Sequence, residues 1–226
     1  MCGRYVSPDE ASIEREFNLL HREWKFPENF NVAPTQAVPA VRVRAGEREG
    51  VLLRWGLIPF FARGVAPKYS TINARSETVQ TSPSYRGPWS RGQRCLVVAR
   101  GFYEWQTQSD GKSRVPYYIH LNDQEIFGFA GRWDSSRSAH GEIIESCVLI
   151  TMPANRLVGE IHNTQQRMPA ILSKDAREAW LSGSPEEAWS VLTPYPEEHM
   201  AAWPVSTRVN KPANNDAGLI TPLAAA

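Results

Sequence analysis

The sequence lacks most of the features that announce a protein's class. Of its 226 residues only 3 are cysteine, at positions 2, 95 and 147. An odd number with no short spacing argues against a disulfide framework and against a cysteine-based zinc site. The 5 histidines, at 21, 120, 140, 162 and 199, form no His-x-x-x-His pair. There is no glycine-rich phosphate loop, no Gly-x-Ser-x-Gly elbow and no dinucleotide fingerprint, so neither a metal nor a cofactor is expected. No apolar run approaches the ~20 residues of a membrane span. No basic segment followed by an apolar stretch opens the chain, which argues against a secretory leader and leaves the cytoplasm as the expected location. Internal repeats and low-complexity segments are absent. Net charge is only +1, which excludes a wholly basic surface made for nucleic acid or membrane. Lysine is scarce too, 5 against 20 arginines. That bias fits a local arginine-lined cleft for phosphates, and equally a GC-rich coding sequence.

What is present reads as globular. The chain is 42% hydrophobic and 10% aromatic, and a chain of this length buries about 70–75% of its unfolded surface. Without a break in composition, one domain over 1–226 is expected, its tail from about 221 disordered. Ser7-Pro8-Asp9-Glu10 predicts a helix start with Ser7 as N-cap and Glu10 closing a capping box, followed by Ile13, Phe17 and Leu20 at helical spacing. From about Ala37 the pattern turns to short β-branched and aromatic strands. Those at 95–106, 116–121, 125–133 and 143–152 suggest a meander, with Ser109-Asp110-Gly111 and Asn122-Asp123 as turns. Ser173 and Ser184 each predict the start of a short helix, and WPVS at 203–206 a final strand. The expected fold class is α+β: a curved, mainly antiparallel, barrel-like β core with flanking helices. The stretch from about Pro59 to Arg94 is too long for a plain connection and marks a functional loop.

Four segments carry residues suited to chemistry. Cys95 and Cys147 sit in apolar runs and read as buried small hydrophobes; Cys2 lies in none. If Met1 is removed, Cys2 becomes a terminal β-aminothiol. Its amine (pKa about 7.7–8.0) and thiol (about 8.5) are both partly nucleophilic near neutrality. An aldehyde can form a Schiff base with that amine, and the thiol can then close a thiazolidine ring. The other reading is that a cysteine is merely tolerated there. Arg4 could favour the thiolate and bind an anion. Glu104, in GFYEW, is a carboxylate among apolar neighbours. As one strand, the run 95–106 would put Leu96, Val98, Arg100, Phe102 and Glu104 on one face, with Tyr103 and Trp105 on the other. Burial there would raise the carboxyl pKa and suit it to proton transfer; a water-facing edge strand is the alternative. His162 follows a short predicted helix and precedes a polar loop and a strand that opens with Arg167. It suits acid–base work or is a surface residue. In TINARSET, Asn73 and Arg75 share one face of an extended segment.

Taken in order, MCGRY, FNVAPTQ, RWGLIP, INARSET, CLVVARGFYEW, FGFAGRWD, LITMPAN, IHNTQQRMPAIL and WPVS resemble the SRAP family over essentially the whole chain. The name stands for SOS response-associated peptidase, and its members are better described as abasic-site processing proteins. The resemblance implies a compact mixed fold with a curved β core and a cleft for single-stranded DNA. It implies that Cys2, once terminal, condenses with the ring-opened aldehyde of an abasic site to give a stable thiazolidine crosslink. Asn73 would lie beside the cysteine, Glu104 would assist proton transfers, and His162 would serve crosslink formation and reversal. Arg4, Arg75 and Arg167 would hold DNA phosphates, and Pro34, Phe60, Phe61 and Trp105 would contact bases or wedge a partner strand. Two departures stand out. Four residues separate His162 from Arg-Met-Pro, more than is usual, and Phe60-Phe61 replaces tryptophans found in some relatives.

The expected partner is therefore single-stranded DNA containing abasic sites, with no membrane and no obligate protein partner, and the chain is expected to act as a monomer. Other readings are a Cys2-dependent peptidase acting on its own N-terminus, an abasic-site lyase, and a non-catalytic single-strand binder. A Cys2-nucleophile amidotransferase fits poorly, because Arg4-Tyr5 leads into a capped helix and the chain is short for a synthase.

Overall fold

A computed structural model describes residues 2–19 and 24–223. In chain order its elements are β1 (Tyr5–Ser7), α1 (Glu10–Phe17), β2 (Asn29–Val32), β3 (Ala37–Arg44), β4 (Glu47–Trp55), β5 (Asn73–Arg75) and α2 (Arg86–Ser90). There follow β6 (Arg94–Ala99), β7 (Gly101–Thr107), β8 (Arg114–Leu121), β9 (Phe127–Arg137), β10 (Ile143–Pro153) and α3 (Arg156–Ile161). The last are β11 (Arg167–Pro169), β12 (Ile171–Leu172), α4 (Ala176–Ser182), α5 (Pro185–Ser190) and β13 (Met200–Pro204).

Five strands close a ring. β10 pairs parallel with β4, β4 pairs antiparallel with β3, β3 with β6, β6 with β9, and β9 again with β10. This is the barrel-like core expected from the β-branched runs, and closure removes the free edges of the ring. β10 overshoots it. Where β4 ends, β5 takes over the same edge, pairing Asn73 with Leu149 and Arg75 with Thr151; on the other edge β11 pairs Pro169 with Thr151. A second, five-stranded antiparallel sheet runs β13-β8-β7-β1-β2. It packs on the barrel through aromatic edges: Tyr5 meets Trp55 at 5.5 Å and Phe129 at 5.9 Å, and Phe102 meets Phe129 at 5.9 Å between ring centroids. Its other side buries Val6, Tyr103 and Tyr118 under Val205, Val209 and Leu219. The C-terminal segment is tied there by Asn31, whose Nδ2 donates to the carbonyls of Val209, Lys211 and Asn214.

Several local expectations are corrected. The first helix starts at Glu10, capped by Asp9, whose carboxylate accepts from the Ser12 N–H. Ser7 belongs to β1 and spends its hydroxyl on the Pro8 carbonyl. Ile13 and Phe17 are buried as the spacing requires; Leu20 lies outside the described residues. The run CLVVARGFYEWQ is two strands in two sheets. It breaks at Arg100, whose guanidinium turns to Glu28 and Glu125, so Leu96 and Val98 do not share a face with Glu104. For the same reason there is no meander: β7–β8 and β9–β10 are separate hairpins. Just after the break, Gly101 makes room for the Tyr118 ring of β8, which a Cβ there would meet at 2.4 Å. The fourth helix starts at Ala176, two residues after Lys174, though Ser173 still accepts from the Ala176 N–H through its carbonyl. Ser184 forms the capping box its motif predicts, and WPVS contributes to β13 against β8. At the tail, the Leu223 N–H donates to the Pro204 carbonyl at 2.9 Å; residues 224–226 lie outside the described residues. Among the described residues no helix is long and apolar enough to cross a membrane.

Candidate active site around Cys2

β1 is the element that positions the N-terminal arm. It runs antiparallel to β7, with Tyr5 opposite Phe102 and the Tyr103 N–H donating to the Arg4 carbonyl at 3.0 Å. Continued along the arm, this register sets Gly3 opposite Glu104, close enough for the Glu104 charge to act on the Cys2 thiol. From the other side β5, held parallel on β10, presents Asn73, whose Nδ2 donates to the Cys2 carbonyl at 2.8 Å. α3 ends at His162, and the His162 Nε2 lies 3.9 Å from Glu104 Oε2. Four segments remote in sequence thus converge on one cluster of Cys2, Asn73, Glu104 and His162.

The cluster is dry. Cys2 is wholly buried although it lies in no apolar run of the sequence. Burial pushes its thiol above the usual range, and the charge of Glu104 pushes it further. The Arg4 guanidinium does not offset this: its Nη1 donates to the Gly3 carbonyl, and burial lowers its own pKa, while the Arg4 backbone, 3.7 Å from the Cys2 sulfur, lowers the thiol only in small part. Glu104 is 2% exposed, which rules out the water-facing alternative. Desolvation lifts its carboxyl to about 7, so both protonation states are populated near neutrality. His162 is held below its usual value, first by burial and then by neighbouring cations, Arg114 and Arg167 among them. Its Nδ1 faces the Arg167 carbonyl at 2.8 Å. That carbonyl only accepts, so Nδ1 carries the proton of the neutral ring and Nε2 turns an acceptor lone pair toward Glu104. A carboxyl poised to give up a proton therefore faces an imidazole nitrogen able to receive one. The Asn73 amide completes the set: its Oδ1 is enclosed and accepts no hydrogen bond among the described residues.

The loop between His162 and Arg167 is four residues long and stays anchored. Asn163 pins it to β7 by accepting from the Thr107 N–H at 3.1 Å and donating to the Thr107 carbonyl at 2.8 Å. Gln106 Nε2 also reaches the Glu160 carbonyl. The extra length is thereby absorbed without displacing His162 from Glu104.

The remaining expected residues are spread more widely. Arg75 is exposed beside Thr151, on the same face of β5 as Asn73. Arg4 and Pro34 are partly buried. Trp105 is half-buried and donates its indole N–H to Asn210 at 2.9 Å. Phe60 and Phe61 are 54% and 51% exposed and meet edge to face at 5.5 Å. With Arg86, Trp89 and Arg91 they line a groove of about 630 Å³ that shares no residue with the Cys2 cluster, and the Arg91 guanidinium lies 5.2 Å from the Phe60 ring centre. Arg167 corrects its expectation in part. It is 9% exposed and committed inward: Nη1 and Nη2 form a fork onto Glu77 at 2.7 and 2.9 Å, and Nη2 also donates to the Thr151 carbonyl at 2.7 Å. Glu77, Thr151 and Asn163 are the residues that sequence reasoning passed over. Glu77 alone left a trace, as the third member of the Asn73, Arg75, Glu77 alternation.

Charge is segregated along the chain. Residues 59–94 contain six lysines and arginines against a single acid, Glu77, although the whole chain carries only +1. Arg63, Lys68, Arg75, Arg86 and Arg91 of that segment are exposed.

Comparison with known proteins is consistent over nearly the full length. The family model described as SOS response associated peptidase (SRAP) matches residues 1–212. The Bacillus subtilis protein named abasic site processing protein YoaM is 34% identical over 97% of both chains. The chicken (Gallus gallus) abasic site processing protein HMCES is 34% identical over 89% of this chain and 68% of its own. A crystal structure of a protein from Bacteroides thetaiotaomicron superposes with a TM-score of 0.88 at 29% identity, covering 99% of this chain and all of the other. With the family model spanning nearly all of it and relatives above 30% identity along its length, the chain belongs to the SRAP family.

Proposed function

We propose that this protein captures abasic sites in single-stranded DNA by forming a covalent thiazolidine through Cys2, after removal of Met1, and so shields the lesion. The observation that carries the reading is the convergence of Cys2, Asn73, Glu104 and His162 from four separate segments, with a carboxyl at about pH 7 facing an imidazole. The names of the relatives, abasic site processing proteins, point the same way.

The ring-opened abasic sugar presents an aldehyde. The Cys2 α-amine adds to it, giving a carbinolamine. Loss of its hydroxyl as water needs a proton, which Glu104 supplies in its neutral form. His162 Nε2 takes up the proton released by the amine and returns it to the Glu104 carboxylate, 3.9 Å away. The Cys2 sulfur then adds to the imine carbon, the thiol proton passes to nitrogen, and the ring closes. One water is lost overall and no oxidant is needed. Asn73, with a free acceptor on Oδ1, orients a sugar hydroxyl. Arg4 and Arg75 hold the backbone. Phe60, Phe61 and Trp105 stack on bases, worth about 1–3 kcal/mol each.

The test is denaturing electrophoresis of the protein with abasic single-stranded DNA, without reductant. The parent is expected to give a stable crosslink, and Cys2→Ala only an adduct trappable by borohydride. Equal, reduction-independent crosslinking by Cys2→Ala overturns the mechanism. The family description as a peptidase supports a second reading, a Cys2 nucleophile acting on peptides. A thiol forced above its usual pKa in a dry site is poorly prepared to attack an amide unaided. The imine route begins with the amine instead. A peptide-substrate screen with Cys2→Ala as control separates the two. The same imine permits β-elimination, so a minor lyase activity is expected.

A further inference from the structure

We propose that Glu77 is a positioning residue of this site: its fork with Arg167 clamps the strand bearing Asn73 and Arg75 to the turn bearing His162. The proposal rests on the function proposed above.

The donor count supports a clamp more than a phosphate seat. A guanidinium has five N–H donors in a fixed plane. In Arg167 two go to the Glu77 carboxylate, one to the Thr151 carbonyl and one, longer at 3.4 Å, to Thr151 Oγ1. One N–H on Nη1 is unassigned among the described residues. Parallel two-point pairing of this kind is the geometrically specific form of an ion pair. Arg167 is nearly enclosed while the Glu77 side chain is 49% exposed, so the arginine forms the fixed half and the glutamate closes onto it. Ser76 Oγ donates to Glu77 Oε2 at 3.0 Å and steadies the carboxylate. Arg167 holds its carboxyl down at about 2, so the clamp stays charged across the physiological range.

What the clamp joins is the point. Glu77 lies two residues beyond Arg75 and four beyond Asn73, the residue that binds the Cys2 carbonyl. The Arg167 backbone carbonyl meets His162 Nδ1 and so fixes the ring that faces Glu104. Between them Thr151 of β10 has Arg75 on one edge and Pro169 on the other. The fork therefore bridges the two extensions that β10 carries beyond the barrel, and a misplacement of either separates Asn73 from the Glu104–His162 pair. If Glu77 instead merely held Arg167 until a phosphate displaced it, removing its charge would strengthen DNA binding.

Two variants separate these roles. Glu77→Gln removes the charge; Glu77→Asp keeps it but withdraws the carboxylate by one methylene. Each is measured by hydrogen exchange at Asn73–Arg75 and at His162–Arg167, by affinity for undamaged single-stranded DNA, and by single-turnover crosslinking at saturating abasic DNA. The clamp is supported if both variants exchange faster in both segments and crosslink about tenfold more slowly or worse, with affinity for undamaged DNA no tighter than the parent's. It is overturned if exchange stays parental, or if Glu77→Gln binds DNA more tightly at an unaltered crosslinking rate. Should the parent itself form no crosslink, the proposed function fails, and hydrogen exchange still decides whether the clamp exists. Should Glu77→Gln not fold, Glu77→Asp carries the test.

Discussion

At the residue scale the decisive group is Glu104. Its folded-state value near 7 stands above the ordinary 4.5 because burial disfavours the charge. A raised acid binds its proton more tightly in the folded state than in the unfolded one. Its contribution to stability is therefore complete below about pH 4.5 and lost as pH rises through 7. At pH 8 the buried charge costs up to about 3 kcal/mol. Glu104→Gln is expected to unfold at higher temperature than the parent at pH 8, with the advantage gone by pH 4; an advantage independent of pH contradicts the assignment. Crosslinking should show the opposite preference. The parental rate is expected to titrate near pH 7, and Glu104→Gln to be slow and flat across that range, as single-turnover kinetics would show. The environment of Cys2 completes the picture at this scale. In the proposed mechanism, a wholly buried thiol beside a carboxylate keeps its proton until the imine has formed.

At the scale of elements, the site depends on where strands stop. β7 leaves the barrel at Arg100 and Gly101, and that break places Glu104 in the second sheet, opposite the N-terminal arm. Gly101→Ala would drive a methyl into the Tyr118 ring. Overpacking of this kind costs about 1–3 kcal/mol, and chemical denaturation should show a loss of that size; an unchanged midpoint would mean that the Tyr118 ring yields and that β7 does not need a glycine beside β8. The break also marks where sequence reading ran out. The run CLVVARGFYEWQ is rich in β-branched and aromatic residues on both sides of Arg100 and Gly101, so it reads locally as one long strand. What marks the break is a pair of remote carboxylates on Arg100 and a ring from β8 against Gly101, neither visible locally. The first helix shows the same limit on a smaller scale: Ser7 and Asp9 are both good caps, and the pairing of β1 with β2 and β7 claims Ser7 for a strand. Where the signal was self-contained, as in the Ser184 capping box or the β-branched barrel strands, the structure matches it. The residues of the Cys2 cluster could be named from motifs, but not their burial, nor the Glu77–Arg167 fork, which joins positions ninety residues apart.

On the scale of the whole molecule, a near-neutral chain hides a local charge imbalance. The segment 59–94 is strongly basic, and the rest of the chain is correspondingly acidic. β5, carrying Asn73 and Arg75, lies inside that segment, so one stretch of chain supplies both a residue of the Cys2 cluster and exposed cations. Binding to single-stranded DNA should therefore weaken steeply with salt, and Arg75→Ala should flatten the log–log slope by about 0.7 for the phosphate it releases. Fluorescence anisotropy across a salt series measures this, and an unaltered slope would remove Arg75 from the DNA path. The most direct test of the account concerns the chemistry of the terminus. Intact-protein mass spectrometry, after incubation with an abasic single-stranded oligonucleotide and without reductant, should find a chain lacking Met1 and heavier by one oligonucleotide less one water. A protein that keeps Met1 throughout, or whose Cys2→Ala variant acquires the same mass, contradicts it.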